Sequence, residues 1–253
     1  MRPEDGADKR RLAILGCATG IGNAGARLLA ARGDRLALGD INRPGVEDLA
    51  TELEAHPFEV DGADPEAVHR FVEEAAEALG GLDGAWSNLG VQIAGSAEDV
   101  TVEQLDRSWA VNVRAHAVLC GAAVPHLRAA GGGAILVTAS NAGLLSESRM
   151  LPYAITKAAA VALARQVARD YAPDKIRVNA LCPGWVDTPF NEPAWANFGG
   201  RERFLEAVPE LVPLGRISTP EEIARLAGFL LSDDAAFVTG HAFVADGGEL
   251  LVV

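Results

Sequence analysis

The architecture of this chain is set by the segment Leu12-Ala13-Ile14-Leu15-Gly16-Cys17-Ala18-Thr19-Gly20-Ile21-Gly22. The four apolar residues at its start predict a short buried strand, and the residues beyond it predict a helix that runs to about Arg32. The three glycines between them allow a tight turn and a close approach of the backbone to a pyrophosphate. A helix that begins there presents free N–H groups and a positive partial charge. The segment therefore predicts a strand, a phosphate-binding loop and a helix.

Outward from this segment, short apolar runs alternate with longer helical stretches along the whole chain. Among them, strands are predicted at 35–40, 134–138 and 176–181, and helices at 102–128 and 152–172. Such alternation is typical of a parallel sheet with helices on both faces. We therefore predict a Rossmann-type, doubly wound α/β fold of three layers, with about seven strands in its sheet.

The length of 253 residues suits one domain of this type. We predict a flexible N-terminal arm over residues 1–10 and a single dinucleotide-binding and catalytic domain over residues 11–253. The region 185–215 breaks the alternation and is rich in proline and aromatic residues. Long excursions at the C-terminal edge of a parallel sheet often form lids, so this region is predicted to be a substrate lid.

The chain is acidic, with a net charge of −13, but the acidity is local. Residues 45–107 carry 16 acidic side chains and only two arginines, so the rest of the chain is close to neutral. No basic stripe is present that would neutralise the phosphates of a nucleic acid. We therefore expect no nucleic-acid partner, and we expect the acidic stretch to form solvated faces of amphipathic helices.

The three cysteines, at 17, 120 and 182, lie far apart, and the chain has no Cys-x-x-Cys motif and no Cys/His cluster. We therefore expect reduced thiols, which are typical of the cytoplasm, and no metal site. The first ten residues lack the apolar core of a signal peptide. No apolar run approaches the roughly 18 residues that a membrane span needs. These features predict a cytoplasmic protein without a membrane partner.

The choice of cofactor depends on Asp40, which ends the second predicted strand, 18 residues after Gly22. A carboxylate at this place can accept hydrogen bonds from both ribose hydroxyls of an adenosine, and it would repel a 2′-phosphate. Ile41 rather than a basic residue follows it, and Arg43 is the nearest cation. The sequence therefore favours NAD over NADP.

A second group of residues indicates proton transfer. The chain has only two tyrosines and three lysines, yet Tyr153 and Lys157 lie four residues apart on a predicted helix and so share a face. A neighbouring ammonium lowers the pKa of a phenol and makes it a better base. Ser140, at the end of the fifth predicted strand, can donate a hydrogen bond to a substrate oxygen. Together the three predict an acid–base site for an alcohol or a carbonyl group.

In combination, these motifs resemble the short-chain dehydrogenase/reductase family, over about residues 11–250. The resemblance is carried by the glycine loop, Asn112 in Val111-Asn112-Val113, Ser140, Tyr153-Ala154-Ile155-Thr156-Lys157, Arg177-Val178-Asn179-Ala180, Cys182-Pro183-Gly184-Trp185-Val186-Asp187-Thr188 and Asp246-Gly247-Gly248. Several motifs in the family's order and spacing make the resemblance specific. It implies a compact, one-domain oxidoreductase.

The resemblance also implies a role for each matching residue. Tyr153 would be the acid/base, and Lys157 would bind the nicotinamide ribose and lower the pKa of Tyr153. Ser140 would orient the substrate oxygen, and Asn112 would anchor a water in a proton relay. The implied cofactor contacts are Gly16, Thr19, Gly20, Ile21, Gly22, Asp40, Ile41, Asp61, Gly62, Asn88, Gly90, Tyr153, Lys157, Pro183, Gly184, Val186 and Thr188.

Three positions depart from the family pattern. Leu15 replaces the usual Thr before the first glycine, Ser87-Asn88-Leu89-Gly90 replaces Asn-Asn-Ala-Gly, and Asp61-Gly62 replaces Asp-Val. We expect Ser87 to take over one amide's role and Leu89 to need extra room. We expect an altered cofactor affinity rather than a loss of activity.

The candidate walls of the substrate site are mostly apolar, which suits a ring or a short carbon skeleton. They are Gln92, Ile93, Ala142, Glu147, Met150, Trp185, Phe190, Trp195 and Phe198. Gln92 and Glu147 could bond a hydroxylated substrate, although Glu147 could equally be solvated, and Trp195 and Phe198 could simply pack the lid. We interpret His116 and His126, on the helix predicted at 102–128, as surface or interface residues.

We therefore expect an NAD-dependent oxidoreductase that interconverts a secondary alcohol and a ketone, assembled as the homotetramer usual in the family or as a homodimer. Two alternatives remain open: an NADPH-dependent reductase of carbonyl compounds of the 3-oxoacyl type, and a non-catalytic dinucleotide-binding protein. Asp40 argues against the first alternative. The intact set of Ser140, Tyr153, Lys157 and Asn112 argues against the second.

Overall fold

Seven parallel strands form one sheet in the computed structural model, which describes residues 9–252, with residues 193, 196 and 197 described by their backbone alone. The strands are β1 (Arg11–Leu15), β2 (Arg35–Asp40), β3 (His56–Glu59), β4 (Gly84–Ser87), β5 (Gly133–Thr138), β6 (Ile176–Pro183) and β7 (Ala242–Ala245). Their order across the sheet is β3-β2-β1-β4-β5-β6-β7. The order reverses between β1 and β4, and a ligand cleft is expected at the C-terminal ends of strands at such a switch point. The predicted doubly wound fold is confirmed.

Helices cover both faces of this sheet. They are α1 (Gly20–Ala31), α2 (Arg43–Leu53), α3 (Pro65–Leu79), α4 (Val102–Trp109), α5 (Ala115–Ala129), α6 (Leu151–Tyr171), α7 (Glu192–Asn197), α8 (Arg201–Leu211) and α9 (Pro220–Leu231). Helices α1, α2 and α9 pack on one face, where Leu29 and Ile223 are buried. Helices α3, α5 and α6 pack on the other, where Phe71 and Leu119 are buried. Burial of each such side chain contributes about 1.5–3 kcal/mol, which makes the sheet a rigid base for the cleft.

The first strand shows why its sequence is apolar throughout. Ala13 and Leu15 belong to the core on one face, whereas Leu12 and Ile14 belong to the core on the other. Alternate residues of a strand point to opposite faces, so a strand covered on both sides needs apolar residues at every position.

The helix predicted over 102–128 is corrected by the structure. A π-helical turn at Ala110–Arg114 separates α4 from α5, and Asn112 lies within it. The amide of Asn112 bonds the backbone of Val91 and the hydroxyl of Thr156, so the turn lets this side chain reach two other elements. Single π turns of this kind occur frequently at functional sites.

The structure describes the last residues of the predicted N-terminal arm and the backbone of the predicted lid region. Most of the predicted arm lies outside the described residues, but Arg10 donates hydrogen bonds to the carboxylate of Asp34 at 2.9 and 2.6 Å. The predicted lid region, 185–215, contains α7 and α8. No helix within residues 9–252 has both the length and the apolar character to cross a membrane.

Candidate active site

A cleft of about 260 Å³ lies at the C-terminal ends of the central strands. The predicted site residues that line it are Gly16, Thr19, Gly20, Ile21, Asp40, Ile41, Asn88, Gly90, Gln92, Ser140, Ala142, Glu147, Tyr153, Lys157, Pro183, Gly184, Trp185, Val186, Thr188 and Phe190. The cleft has two ends: the cofactor end, with the glycine loop and Asp40, and the substrate end, with Ser140, Tyr153 and Trp185. Gly22, Asp61, Gly62, Asn112, Met150 and Trp195 lie off its lining.

The glycine loop at the cofactor end has no space for side chains. A β carbon at Gly16, where φ is +88°, would lie 2.8 Å from the backbone oxygen of Asn88. One at Gly22 would overlap the carbonyl oxygen of Gly16, so Gly22 supports the loop from behind. Thr19 precedes α1 without capping it through its side chain, and the first turn carries no acidic residue. The free N–H groups of this helix end therefore fit an anionic pyrophosphate.

Asp40 is held in place by backbone donors. One carboxylate oxygen accepts the N–H of Ala18 at 2.8 Å and the other accepts the N–H of Asn42 at 2.9 Å. Each oxygen keeps a lone pair for a ribose hydroxyl in the cleft. Arg43, the nearest cation in the sequence, bonds Glu47 at 2.8 Å instead.

Asn88 braces the glycine loop from the neighbouring strands. Its side-chain N–H₂ donates to the carbonyl of Gly16 at 2.8 Å, and its side-chain oxygen accepts the hydroxyl of Thr138 at 2.8 Å. That hydroxyl accepts in turn from the indole N–H of Trp86 at 2.9 Å. This chain of buried polar groups fixes the loop relative to β4 and β5.

Two of the departures from the family pattern compensate each other. A β carbon at Gly62 would lie 2.6 Å from Cδ1 of Leu89. Leu89 therefore occupies the space that a larger residue at position 62 would need, which answers the expectation that Leu89 requires extra room. Asp61 bonds the backbone N–H of Ala63 at 2.8 Å, is exposed and does not reach the cleft lining.

Ser87, in the same departure as Leu89, leads to a correction. Its hydroxyl lies 2.6 Å from Nδ1 of His116, and both residues are fully buried. His116 is therefore a core residue, and its interpretation as a surface or interface residue is wrong. Burial lowers the pKa of His116 well below its ordinary value, and the charge of Lys157 acts in the same direction. A neutral His116 pairs with Ser87 at the base of the site.

Ser140, Tyr153 and Lys157 come together at the substrate end, and all three are buried. The N–H of Ala142 donates to the Ser140 hydroxyl oxygen at 3.1 Å, and that hydroxyl donates to Oδ1 of Asn141 at 3.4 Å and also bonds Tyr153. Lys157 donates to the carbonyls of Thr138 at 3.0 Å and Leu89 at 3.3 Å. Its ammonium lies 5.7 Å from the centre of the Tyr153 ring.

The pKa values at this site are dominated by burial. Burial, with a smaller contribution from the charge of Glu147, raises the pKa of Tyr153 to about 12 against the opposing effect of its hydrogen bond with Ser140. Burial also lowers the pKa of Lys157 to about 8. The lowering of the Tyr153 pKa that we predict from Lys157 is not among these effects, because the ammonium is directed at two carbonyls.

Asn112 supports the site from outside the cleft. Its side-chain oxygen accepts the N–H of Val91 at 2.8 Å, and its N–H₂ donates to the Val91 carbonyl and to the hydroxyl of Thr156, both at 3.0 Å. Thr156 lies on α6 between Tyr153 and Lys157. Asn112 therefore ties the helix that carries the acid–base pair to the segment after β4.

The structure decides between the two roles that the sequence left open for Trp195 and Phe198, since both pack within the lid. Trp185 and Phe190 line the cleft as expected. Trp195 instead belongs to a separate apolar cluster with Phe204, in which its ring centre lies 6.3 Å from that of Phe204. Met150 packs against Tyr153 but stays behind the lining.

Sequence reasoning missed two polar residues at the substrate end. Asn141 donates to the carboxylate of Glu249 at 2.7 Å, and the indole N–H of Trp185 donates to the other oxygen of that carboxylate at 3.0 Å. Glu249 is buried and so joins two walls of the cleft. Asn141 could have been found by its position after Ser140, but no local signal links Glu249 to a residue 108 positions earlier.

The chain is similar to one protein family and to several known proteins over nearly its whole length. Residues 16–249 match the family described as enoyl-(acyl carrier protein) reductase. The chain is 36% identical to cyclohexanol dehydrogenase of Acinetobacter sp. (strain SE19), over 92% of each chain. It is 37% identical to 2,5-dichloro-2,5-cyclohexadiene-1,4-diol dehydrogenase of Sphingobium indicum, over 94% of this chain and 96% of the other. Among solved structures it superposes on levodione reductase with a TM-score of 0.91 at 29% identity, over 96% and 98% of the two chains.

Proposed function

The chain belongs to the short-chain dehydrogenase/reductase family, and we propose that it is an NAD-dependent dehydrogenase that interconverts a secondary alcohol and a ketone. The observation that carries the proposal is the placement of Ser140, Tyr153 and Lys157 at one end of a cleft whose other end is formed by the glycine loop and Asp40. A proton-transfer group and a dinucleotide cradle that share one cleft suit hydride transfer.

The cofactor end suits NAD residue by residue. The backbone of the glycine loop and the start of α1 would hold the pyrophosphate, and the Asp40 carboxylate would accept the adenosine ribose hydroxyls. Lys157 and Tyr153 would hold the nicotinamide ribose. A bound NAD would supply the acceptor for the hydride that leaves the alcohol carbon.

Tyr153 supplies the proton transfer in this proposal. As the alcohol is oxidised, its hydroxyl proton passes to the Tyr153 oxygen while its carbon loses a hydride, and the reverse steps reduce the ketone. Ser140 would donate a hydrogen bond to the substrate oxygen in place of its long bond to Asn141, which measures 3.4 Å. The ammonium of Lys157 keeps a third N–H for the nicotinamide ribose beside its bonds to the carbonyls of Thr138 and Leu89.

The reaction is tested with cyclohexanol and NAD, by the absorbance of the NADH formed. This substrate is suggested by the apolar ring-sized wall of Trp185 and Phe190 and by the relative that is named for it. Tyr153→Phe is expected to lower kcat by roughly 10²- to 10⁴-fold, the usual contribution of a general acid–base group. Turnover of the variant at the wild-type rate would remove Tyr153 from the mechanism.

Cofactor choice is tested separately, by comparing kcat/KM for NAD and NADP with the same alcohol. Asp40 favours NAD because its charge opposes a 2′-phosphate. Asp40→Ser removes that charge and is expected to reduce the preference for NAD. A wild-type preference for NADP would instead support a carbonyl reductase of the 3-oxoacyl type.

We also propose that the chain assembles as a homotetramer. Phe237 is fully exposed and Trp109 is 51% exposed in the isolated chain, and both are large apolar side chains that an interface would cover. The mass in solution, from light scattering after size-exclusion chromatography, is expected to be four times that of the chain. A mass of two chains would point to a homodimer, and a mass of one chain would contradict both assemblies.

A further inference from the structure

We propose that the natural substrate carries a second hydroxyl group close to the carbinol that is oxidised, and that Glu147 is the residue that selects it. Gln92 acts as a second acceptor for the same part of the substrate. The proposal rests on the alcohol dehydrogenase function above and adds a specificity determinant to it. Compounds that carry a carboxylate in place of the second hydroxyl are excluded by the charge of Glu147.

Glu147 is the first observation. It lies in the segment between β5 and α6, is half-buried, and lines the cleft beside Ser140 and Tyr153. Its carboxylate forms no hydrogen bond or ion pair with another residue of the described chain, and burial raises its pKa. A partly buried carboxylate that lacks a hydrogen-bond donor from the protein fits a ligand that brings such a donor.

Several other polar groups at this end of the cleft are already committed. The donors of Asn141 and Trp185 both bond Glu249, at 2.7 and 3.0 Å. Lys157, the one cation among the described residues that line the cleft, donates to two backbone carbonyls. Beyond Ser140 and Tyr153, the charged group without a partner among the described residues is therefore Glu147, which accepts hydrogen bonds.

Gln92 gives an independent observation. Its side-chain oxygen is buried and has no hydrogen-bond donor among the described residues, and the residue lines the same cleft. Two acceptors without donors in the lining of one cleft match a second hydroxyl, which has a proton to give. A cyclic alcohol with one hydroxyl would satisfy Ser140 and Tyr153 and leave both acceptors unpaired.

The charge of Glu147 also excludes a class of compounds. Glu147 raises the pKa of both Tyr153 and Glu249, so its charge acts on the neighbourhood of the reacting oxygen. A substrate carboxylate there would meet a like charge, and no unpaired cation among the described lining residues would offset the repulsion. The cleft therefore selects neutral, hydroxylated substrates over hydroxy acids.

The experiment uses three substrates built on one ring: cyclohexanol, cyclohexane-1,2-diol and 2-hydroxycyclohexane carboxylate. For each, kcat/KM is measured with NAD for the wild type, Glu147→Gln, Gln92→Ala and Glu202→Gln. Glu202 is an exposed residue of α8 outside the cleft, so its variant is the matched control for the loss of one carboxylate. A thermal melt of each variant accompanies the kinetics.

For the wild type we expect the diol to exceed cyclohexanol by roughly ten- to a hundredfold, the range for a hydrogen bond to a charged group, and the hydroxy acid to be slowest. Glu147→Gln should lower this preference for the diol over cyclohexanol by about tenfold. It should also reduce the difference in kcat/KM between the diol and the hydroxy acid. Gln92→Ala should lower the preference for the diol over cyclohexanol. It should not raise kcat/KM for the hydroxy acid, because it removes no charge. Glu202→Gln should match the wild type.

Two results would overturn the inference. The first is a ratio of diol to cyclohexanol that Glu147→Gln leaves unchanged. The second is an equal fall for all three substrates, which would make Glu147 a structural residue. If cyclohexanol is oxidised in either case, the dehydrogenase function stands and only the specificity fails. If the wild type forms NADH from none of the three compounds, the proposed function fails and this inference fails with it.

Discussion

The two ends of the cleft are built in different ways. The cofactor end is made of backbone: Gly16 and Gly22 lie so close to neighbouring main-chain atoms that neither tolerates a β carbon. The substrate end is made of side chains, with Trp185 and Phe190 from the lid facing Glu147 from the segment before α6. The first end recognises groups that every dinucleotide has, whereas the second must recognise one substrate.

This difference determines how each end responds to change. In the glycine loop of the cofactor end, a substitution at Gly16 or Gly22 displaces the backbone itself, so its effect is large and cannot be relieved by side-chain repacking. At the substrate end a substitution alters one contact and leaves the sheet in place. Four predictions test whether this contrast holds.

The largest effect is expected for Gly22→Ala. The new β carbon would overlap the carbonyl oxygen of Gly16, which is backbone and cannot move aside without opening the loop. We expect no measurable NAD binding in isothermal titration calorimetry.

The matched control is Gly121→Ala, which places the same methyl group on α5, where nothing lies within 4 Å of it. Alanine suits the interior of a helix better than glycine, so this variant should gain about 0.5–1 kcal/mol in stability and keep its NAD affinity. If Gly22→Ala bound NAD with the affinity of the wild type, the backbone of the glycine loop could adjust to a β carbon, and the proposed difference between the two ends would be wrong.

The second prediction concerns the lid. Phe204 is fully buried, and its ring centre lies 4.7 Å from that of Trp185 and 5.1 Å from that of Phe198. Phe204→Ala should cost about 3–5 kcal/mol in urea unfolding, as for other buried Phe to Ala changes. Because Trp185 lines the substrate end, KM for the alcohol should rise while the dissociation constant of NAD stays constant.

Val102→Ala serves as its control, since Val102 is 67% exposed at the start of α4. Exposed substitutions of this kind change stability by less than about 0.5 kcal/mol. An equal loss of NAD and alcohol binding in Phe204→Ala would mean that the two ends are not independent.

The same contrast explains how far the sequence could predict the structure. The glycine loop, Asp40 and the pair Tyr153 and Lys157 were predictable because each depends on spacing within one strand–helix unit. The link between Asn141 and Glu249 was not, because it joins segments 108 residues apart in the chain. Only packing in three dimensions brings these two residues together.

His116 and Trp195 illustrate the same limit. A histidine on an amphipathic helix is typically exposed, but Ser87 provides a buried partner 2.6 Å away, and this partner lies on another element. An aromatic side chain such as Trp195 suits a substrate wall as well as it suits the apolar lid cluster in which it is buried. Residue type alone does not distinguish these environments.

The third prediction is an exchange of volume at the cofactor end. Gly62→Val alone should clash with Leu89, whose Cδ1 would lie 2.6 Å from the new β carbon. We expect a loss of about 1–3 kcal/mol in stability, the usual cost of overpacking. Adding Leu89→Ala should recover most of that loss, and denaturant unfolding of both single variants and the double variant measures the coupling. Additive losses would show that the two positions do not share space.

The smallest effect is a pair of opposite shifts in the pH dependence of kcat for alcohol oxidation, which requires the deprotonated form of Tyr153. Glu147 raises the pKa of Tyr153 and the hydrogen bond with Ser140 lowers it. Removing the Glu147 charge should therefore move the rising limb of the profile to lower pH in Glu147→Gln. Removing the hydrogen bond should move it to higher pH in Ser140→Ala. If the rising limb shifted in the same direction in both variants, it would report the titration of a group other than Tyr153. Lys157, whose pKa is lowered to about 8, would be the first group to test.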